Sequence, residues 1–114
     1  MPKPQDLSFE LIITIVNRGL CGAVVEASKE AGAEGGTIIS GRGSGIHEKA
    51  KLFSFTIEPE KDIVLTLVPN DRTEVVLEAI VKSAELNEPG NGIAFVLEVD
   101  RVTGINHLID KIDS

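Results

Sequence analysis

The sequence contains no tryptophan and no tyrosine, and its only large aromatic side chains are four phenylalanines. A stacking platform for single-stranded nucleic acid needs several exposed rings, so none is expected. Basic residues are in deficit as well: 11 Lys and Arg stand against 18 Asp and Glu, for a net charge of −7. A surface of that sign does not neutralise a phosphate backbone, which argues against nucleic acid as a partner. The single cysteine, Cys21, excludes an internal disulfide and any cysteine-rich zinc site. Long apolar runs are missing too. No stretch is longer than Leu11 to Val16, which is interrupted by Thr14, far short of the ~20 residues that span a bilayer. Met1 to Asp6 lacks the apolar core of a secretory signal. The reading is therefore a cytoplasmic protein with no direct membrane insertion.

What is present is ordinary globular material: 114 residues, 42% apolar and 25% charged, enough for one domain with its own core. Residues 1–8 hold two prolines and no periodic pattern, and read as a flexible arm; residues 9–114 read as a single domain. Phe9 to Val16 is strand-like and apolar on both alternating faces, with Leu11, Ile13 and Ile15 on one and Ile12 and Val16 on the other. Leu20, Ala23, Val24, Ala27 and Ala31 then recur at helical spacing, with Gly32 at the position of a C-terminal cap. Thr37 to Ser40 is a short strand, followed by a Gly-rich loop, Gly41-Arg42-Gly43-Ser44-Gly45. Residues 52–58 and 62–68 read as one interrupted strand, or two pieces bent at Pro59. Asp71-Arg72-Thr73-Glu74 has capping-box spacing ahead of an apolar stripe of Val76, Ile80, Ser83 and Ala84. Pro89-Gly90-Asn91-Gly92 is a tight turn, Ile93 to Val99 a last strand, and 107–112 a possible helical turn.

The order strand, helix, strand, strand, helix, strand predicts an α+β fold. It is the ferredoxin-like split βαβ sandwich (βαββαβ), a four-stranded antiparallel sheet with two helices on one face. Because the first and last strands are apolar on both faces, the face away from the helices needs cover, and a second copy of the chain is the expected source.

Candidate chemistry is thin. The Gly41–Gly45 loop lets backbone N–H groups approach an anion, but it fails the dinucleotide and P-loop patterns, so a plain hairpin tip stays open. Gly90-Asn91-Gly92 reads equally as a turn. His47 and His107 have no partners at metal-ligand spacing. Cys21 reads as an apolar filler or as a thiol activated by a helix N-terminus. Ser44 lacks the Gly-x-Ser-x-Gly frame of a nucleophile. Glu58 and Glu60 flank Pro59 and read as solvated. No catalytic constellation and no metal site emerge.

The chain nevertheless resembles a known family from about Phe9 to Asn106. The stretches Ile15-Val16-Asn17-Arg18, Gly35-Gly36-Thr37-Ile38-Ile39-Ser40-Gly41-Arg42-Gly43 and Pro89-Gly90-Asn91-Gly92-Ile93-Ala94-Phe95-Val96 through Val102 are similar to those of the P-II nitrogen-regulatory signalling proteins. The last stretch resembles that family's B-loop and the strand after it. The resemblance implies a homotrimer with no enzymatic activity that acts in signal transduction as an enzyme regulator. It implies an effector site for an adenine nucleotide (AMP, ADP, ATP or a cyclic nucleotide) in clefts between subunits, with no tightly bound cofactor. On this chain the matching effector positions are Gly41, Arg42, Gly43, Ser44, Gly90, Asn91, Gly92 and Arg101. The implied geometry sets residues 41–45 of one subunit against 90–92 of the next. The T-loop, roughly 41–58, would be presented to a regulated enzyme or membrane transporter, with Ile46 as apolar anchor and Lys49 and Lys51 supplying charge. The alternative is a ferredoxin-like trimer with a metal-tolerance or structural role. Basic positions of the family's cleft are here Ser44, Glu60, Ile93, Gly104 and Asn106, and the modifiable tyrosine of the T-loop is absent.

Overall fold

The computed structural model describes residues 8–44, 50–52, 55–57 and 59–104. In chain order the elements are β1 (Phe9–Asn17), α1 (Cys21–Glu30), β2 (Thr37–Arg42), β3 (Ala50–Leu52), β4 (Phe55–Ile57), β5 (Glu60–Pro69), α2 (Thr73–Ser83) and β6 (Gly92–Val99). Residues 1–7 of the arm, His47, His107 and the possible turn at 107–112 lie outside the described residues.

The main sheet has the order β2-β5-β1-β6, and every neighbouring pair is antiparallel. This is the expected ferredoxin-like arrangement. Strand β1 sits at the centre, and its side chains alternate between two environments. Ile12, Thr14 and Val16 are fully buried. With Val64 and Val68 of β5 they meet Val24 of α1 and Val76 and Ile80 of α2 in the core. The opposite face carries the cross-strand rows Leu67–Leu11–Leu97, Leu65–Ile13–Phe95 and Ile63–Ile15–Ile93. Ile39 of β2 extends the last row beside Ile63. No described element covers these rows: Ile93 is 56% exposed and Leu97 48%.

Several local readings need correction. The Gly-rich segment is not loop throughout, because β2 runs on through Gly41 and Arg42, which pair with Lys61 and Glu60. The ladder continues as long as β5 offers partners, and it outweighs the loop preference of one glycine. Residues 52–58 are not a single strand: β3 and β4 form their own small antiparallel pair, with Leu52 opposite Phe55. The capping box at Asp71 does not form. Helix α2 has Arg72 at its N-cap and no side-chain cap. The turn that closes with the Arg72 N–H on the Pro69 carbonyl (2.9 Å) feeds straight into the helix, and Thr73 instead donates its hydroxyl to Glu10 at 2.6 Å. Ser83 is exposed and not part of the apolar stripe; its hydroxyl returns to the Ile80 carbonyl.

Both helices end in the same hydrogen-bond pattern. Gly32 (φ +112) follows α1, with the Gly32 N–H on Lys29 and the Ala33 N–H on Ser28. After α2 the same left-handed position is taken by Glu85 (φ +50), with the Leu86 N–H on Val81. Two hydroxyls in the core, those of Thr14 and Thr66, have no hydrogen-bond partner.

Two stability predictions result. Gly92 has φ +150, and a Cβ there would lie 2.4 Å from the Ile15 carbonyl oxygen and 3.0 Å from Val16. Gly92→Ala should therefore cost roughly 2–4 kcal/mol in denaturant titrations. Gly43→Ala, with nothing within 4 Å, should stay within about 0.5 kcal/mol of wild type. Thr14→Val and Thr66→Val should each be neutral or stabilising by up to about 1 kcal/mol, since neither removes a hydrogen bond. A clear loss in either titration would mean that the hydroxyl has a partner.

Candidate functional site

The antiparallel register delivers four chain segments to one end of the sheet. They are the turn after β1 (Asn17, Arg18, Gly19), the end of β2 (Gly41, Arg42), the start of β5 (Glu60, Lys61, Asp62) and the loop before β6 (Gly90, Asn91, Gly92). A cleft of about 330 Å³ at this end is lined by Arg18, Ser40, Gly41, Arg42, Glu60, Lys61 and Asp62. The two Gly-rich segments leave from opposite edges, since β2 and β6 are the outer strands. Three strand spacings separate those edges, about 14 Å.

Side chains tie this end together. Lys61, only 8% exposed, donates to the Asn17 side-chain oxygen at 2.6 Å. The Asn17 amide in turn donates to the Gly90 carbonyl at 3.3 Å. Asn17 thus links the start of β5 to the loop before β6. Asn91 donates its amide to the Glu85 carbonyl at 3.0 Å and braces the same loop. Gly43 donates its N–H to the Pro59 carbonyl at 3.1 Å, so that donor is already engaged within the chain.

Glu60 is not simply solvated. Its carboxylate pairs with the Arg18 guanidinium, and the Arg18 N–H reaches the Glu60 carbonyl. Across the β2–β5 ladder Glu60 faces Arg42. Both members of the Arg18–Glu60 pair are substantially exposed, and such a pair contributes about 0–1 kcal/mol.

Asp62 has a structural task. Its carboxylate accepts the Gly19 N–H at 2.8 Å, and the backbone N–H and thiol of Cys21 also point to it. Strand β5 thus supplies the cap that α1 lacks locally, because Leu20 at the N-cap has no side-chain acceptor. The Gly19 N–H, first among these donors, holds the Asp62 carboxyl below its ordinary value. The hydrogen bond to Asp62 pushes the Cys21 thiol up. The activated-thiol reading of Cys21 is thereby corrected: the nearby carboxylate outweighs the helix N-terminus.

Of the expected effector residues, Gly41, Arg42, Gly43, Ser44, Gly90, Asn91 and Gly92 all lie at this end. Arg101 follows β6 at the other end of the same chain, beside a second cleft lined by Glu10, Glu98 and Asp100. Ile46 and Lys49 lie outside the described residues, and Lys51 falls in β3. Asn17, Arg18 and Asp62 escape a reading of motifs, because their roles depend on strands distant in sequence. Among the described residues no group of three or more His, Cys, Asp or Glu is placed to hold a metal ion, and no helix is long and apolar enough to cross a membrane.

The Asp62 contacts set a pH dependence. A carboxyl whose folded value is depressed stabilises the fold fully above its unfolded value, near 3.8, and that contribution disappears as pH falls through the folded value. Acid unfolding monitored by circular dichroism should show this as a steep limb below that pH. Asp62→Asn should be less stable at neutral pH and should flatten the limb. It should also speed alkylation of Cys21 at pH 8, because the thiol no longer donates to a carboxylate. An unchanged alkylation rate would place the thiol proton elsewhere.

Comparison with known proteins agrees with the fold. The crystal structure of PII from Arabidopsis thaliana, bound to citrate, superposes with a TM-score of 0.68 at 26% identity, covering 90% of this chain and 88% of that one. Residues 9–107 match the family described as Nitrogen regulatory protein P-II. With that match spanning most of the 114 residues, the chain belongs to the P-II family of nitrogen regulatory proteins.

Proposed function

We propose that this protein is a trimeric P-II-like signal-transduction protein. It senses an adenine nucleotide in a cleft between subunits and controls an enzyme or membrane transporter through its T-loop, in nitrogen regulation or a related transport or metabolic process. Family membership supports regulation rather than catalysis.

The observation that carries the reading is the placement of the two Gly-rich segments. They leave the same end of the sheet from opposite edges, too far apart for one small ligand to bridge within a chain. A neighbouring subunit brings one edge to the other. The apolar rows that no described element covers supply the reason for such a neighbour, since burying them is worth about 25 cal/mol per Å². Phosphates would meet Arg42, Ser44 and the loop backbone. Few cations are available there, and one of them, Arg18, is already paired. Each missing charge-assisted bond forgoes roughly 1.5–3 kcal/mol, and the loss grows with the number of phosphates.

Light scattering in dilute buffer should return three times the chain mass of 12.2 kDa; a stable, well-folded monomer would remove the basis for the inter-subunit cleft. Calorimetry should find ATP bound no more tightly than AMP or a cyclic nucleotide. ATP clearly tighter than AMP would overturn the expected ranking and point to Arg42, Lys61 and Arg101 as phosphate ligands.

A further inference from the structure

We propose that Glu60 is the specificity-determining residue of the cleft at the β2–β5 end. Its carboxylate occupies the place of a ligand anion at Arg18, across the ladder from Arg42, and so limits how much negative charge the cleft accepts. The inference rests on the proposed effector site and adds the residue that sets its charge preference.

The geometry is asymmetric in a telling way. Lys61 and Asp62, next to Glu60 in β5, are both buried and hold Asn17 and Gly19. Each has a structural partner that a ligand would not replace. Glu60 differs, as it stays half-exposed and pairs with an arginine that is itself largely exposed. Arg42 faces it across the ladder, and opposed residues on an antiparallel pair lie within about 5.5 Å at Cβ. One carboxylate is therefore paired with the Arg18 guanidinium and lies across the ladder from Arg42, on the wall of a cleft. Guanidinium is the side chain best matched to phosphate and carboxylate oxygens. The resident pair is exposed and weak, so a dianion can displace it, while the displaced carboxylate remains close by and repels the newcomer. That repulsion scales with ligand charge: it falls lightly on a monophosphate and heavily on a polyphosphate.

The test is titration calorimetry at low ionic strength with inorganic pyrophosphate, AMP and ATP on the full chain. The proteins are wild type, Glu60→Gln, Glu60→Ser, and Glu60→Gln combined with Arg18→Gln. Two neutral replacements guard against a folding defect in either. Both single variants are expected to bind pyrophosphate about fivefold or more tightly than wild type, to raise ATP affinity relative to AMP, and to lose the gain when Arg18 is also replaced. Pyrophosphate binding that is unchanged, weaker or undetectable in both single variants overturns the inference, as does a gain that survives loss of Arg18. If AMP binds wild type and both variants alike and pyrophosphate shows no gain, the nucleotide reading stands and the role of Glu60 falls. If pyrophosphate shows the gain and no protein binds AMP or ATP, the role of Glu60 stands and the nucleotide reading falls.

Discussion

The antiparallel pairing of β1 with β5 is the constraint on which the rest of the molecule depends. It runs in unbroken register from Phe9 opposite Pro69 to Asn17 opposite Lys61. Side chains alternate along a strand, so one choice of register fixes the fate of every residue in both strands. Ile12, Val16, Val64 and Val68 go to the helices. Leu11, Ile13, Ile15, Ile63, Leu65 and Leu67 go to the other side. Two short helices can cover only one face of a four-stranded sheet, so among the described residues the second face is an apolar surface that β6 widens with Ile93, Phe95 and Leu97.

The same register builds the candidate site. Bringing Asn17 opposite Lys61 puts the turn after β1 against the start of β5. Asp62 can then cap α1, Glu60 can meet Arg18, and Lys61 can hold Asn17. Three consecutive residues of β5 thus serve three different purposes. Asp62 secures the helix, Lys61 links the strand ends, and Glu60 remains at the surface of the cleft. The glycines divide in a similar way. Gly92 is required by close packing against the Ile15 carbonyl, whereas Gly43 has open space around its Cα. A glycine-rich segment is thus not by itself a mark of ligand binding.

Much of the fold was legible in the residues because the physics involved is local. The two-faced apolarity of Phe9 to Val16, the helical spacing from Leu20 to Ala31 and the Gly32 cap all depend on neighbours within a few positions, and the structure agrees with each. The Glu78–Lys82 pair, at 3.1 Å, also follows from helical spacing. The errors lie where a distant partner overrides a local preference. Gly41 and Arg42 look like loop until β5 gives them a ladder. Asp71 looks like a cap until the preceding turn makes Arg72 the boundary. Glu85, an unremarkable acid in the sequence, adopts a left-handed backbone because the chain must turn there toward β6.

By itself, then, the sequence determined the alternation of strands and helices, the excess of apolar strand surface and the glycine-rich segments, since period, composition and turn chemistry are written in adjacent residues. Only the tertiary structure decided that both glycine-rich segments share one end of the sheet on opposite edges, that Asp62 restrains Cys21, and that Glu60, though half-exposed, pairs with Arg18. Those outcomes depend on strand order and register. They bring together residues 17–19, 41–42 and 60–62, which no local pattern connects, because cross-strand hydrogen bonding sets such distances and chain neighbourhood does not.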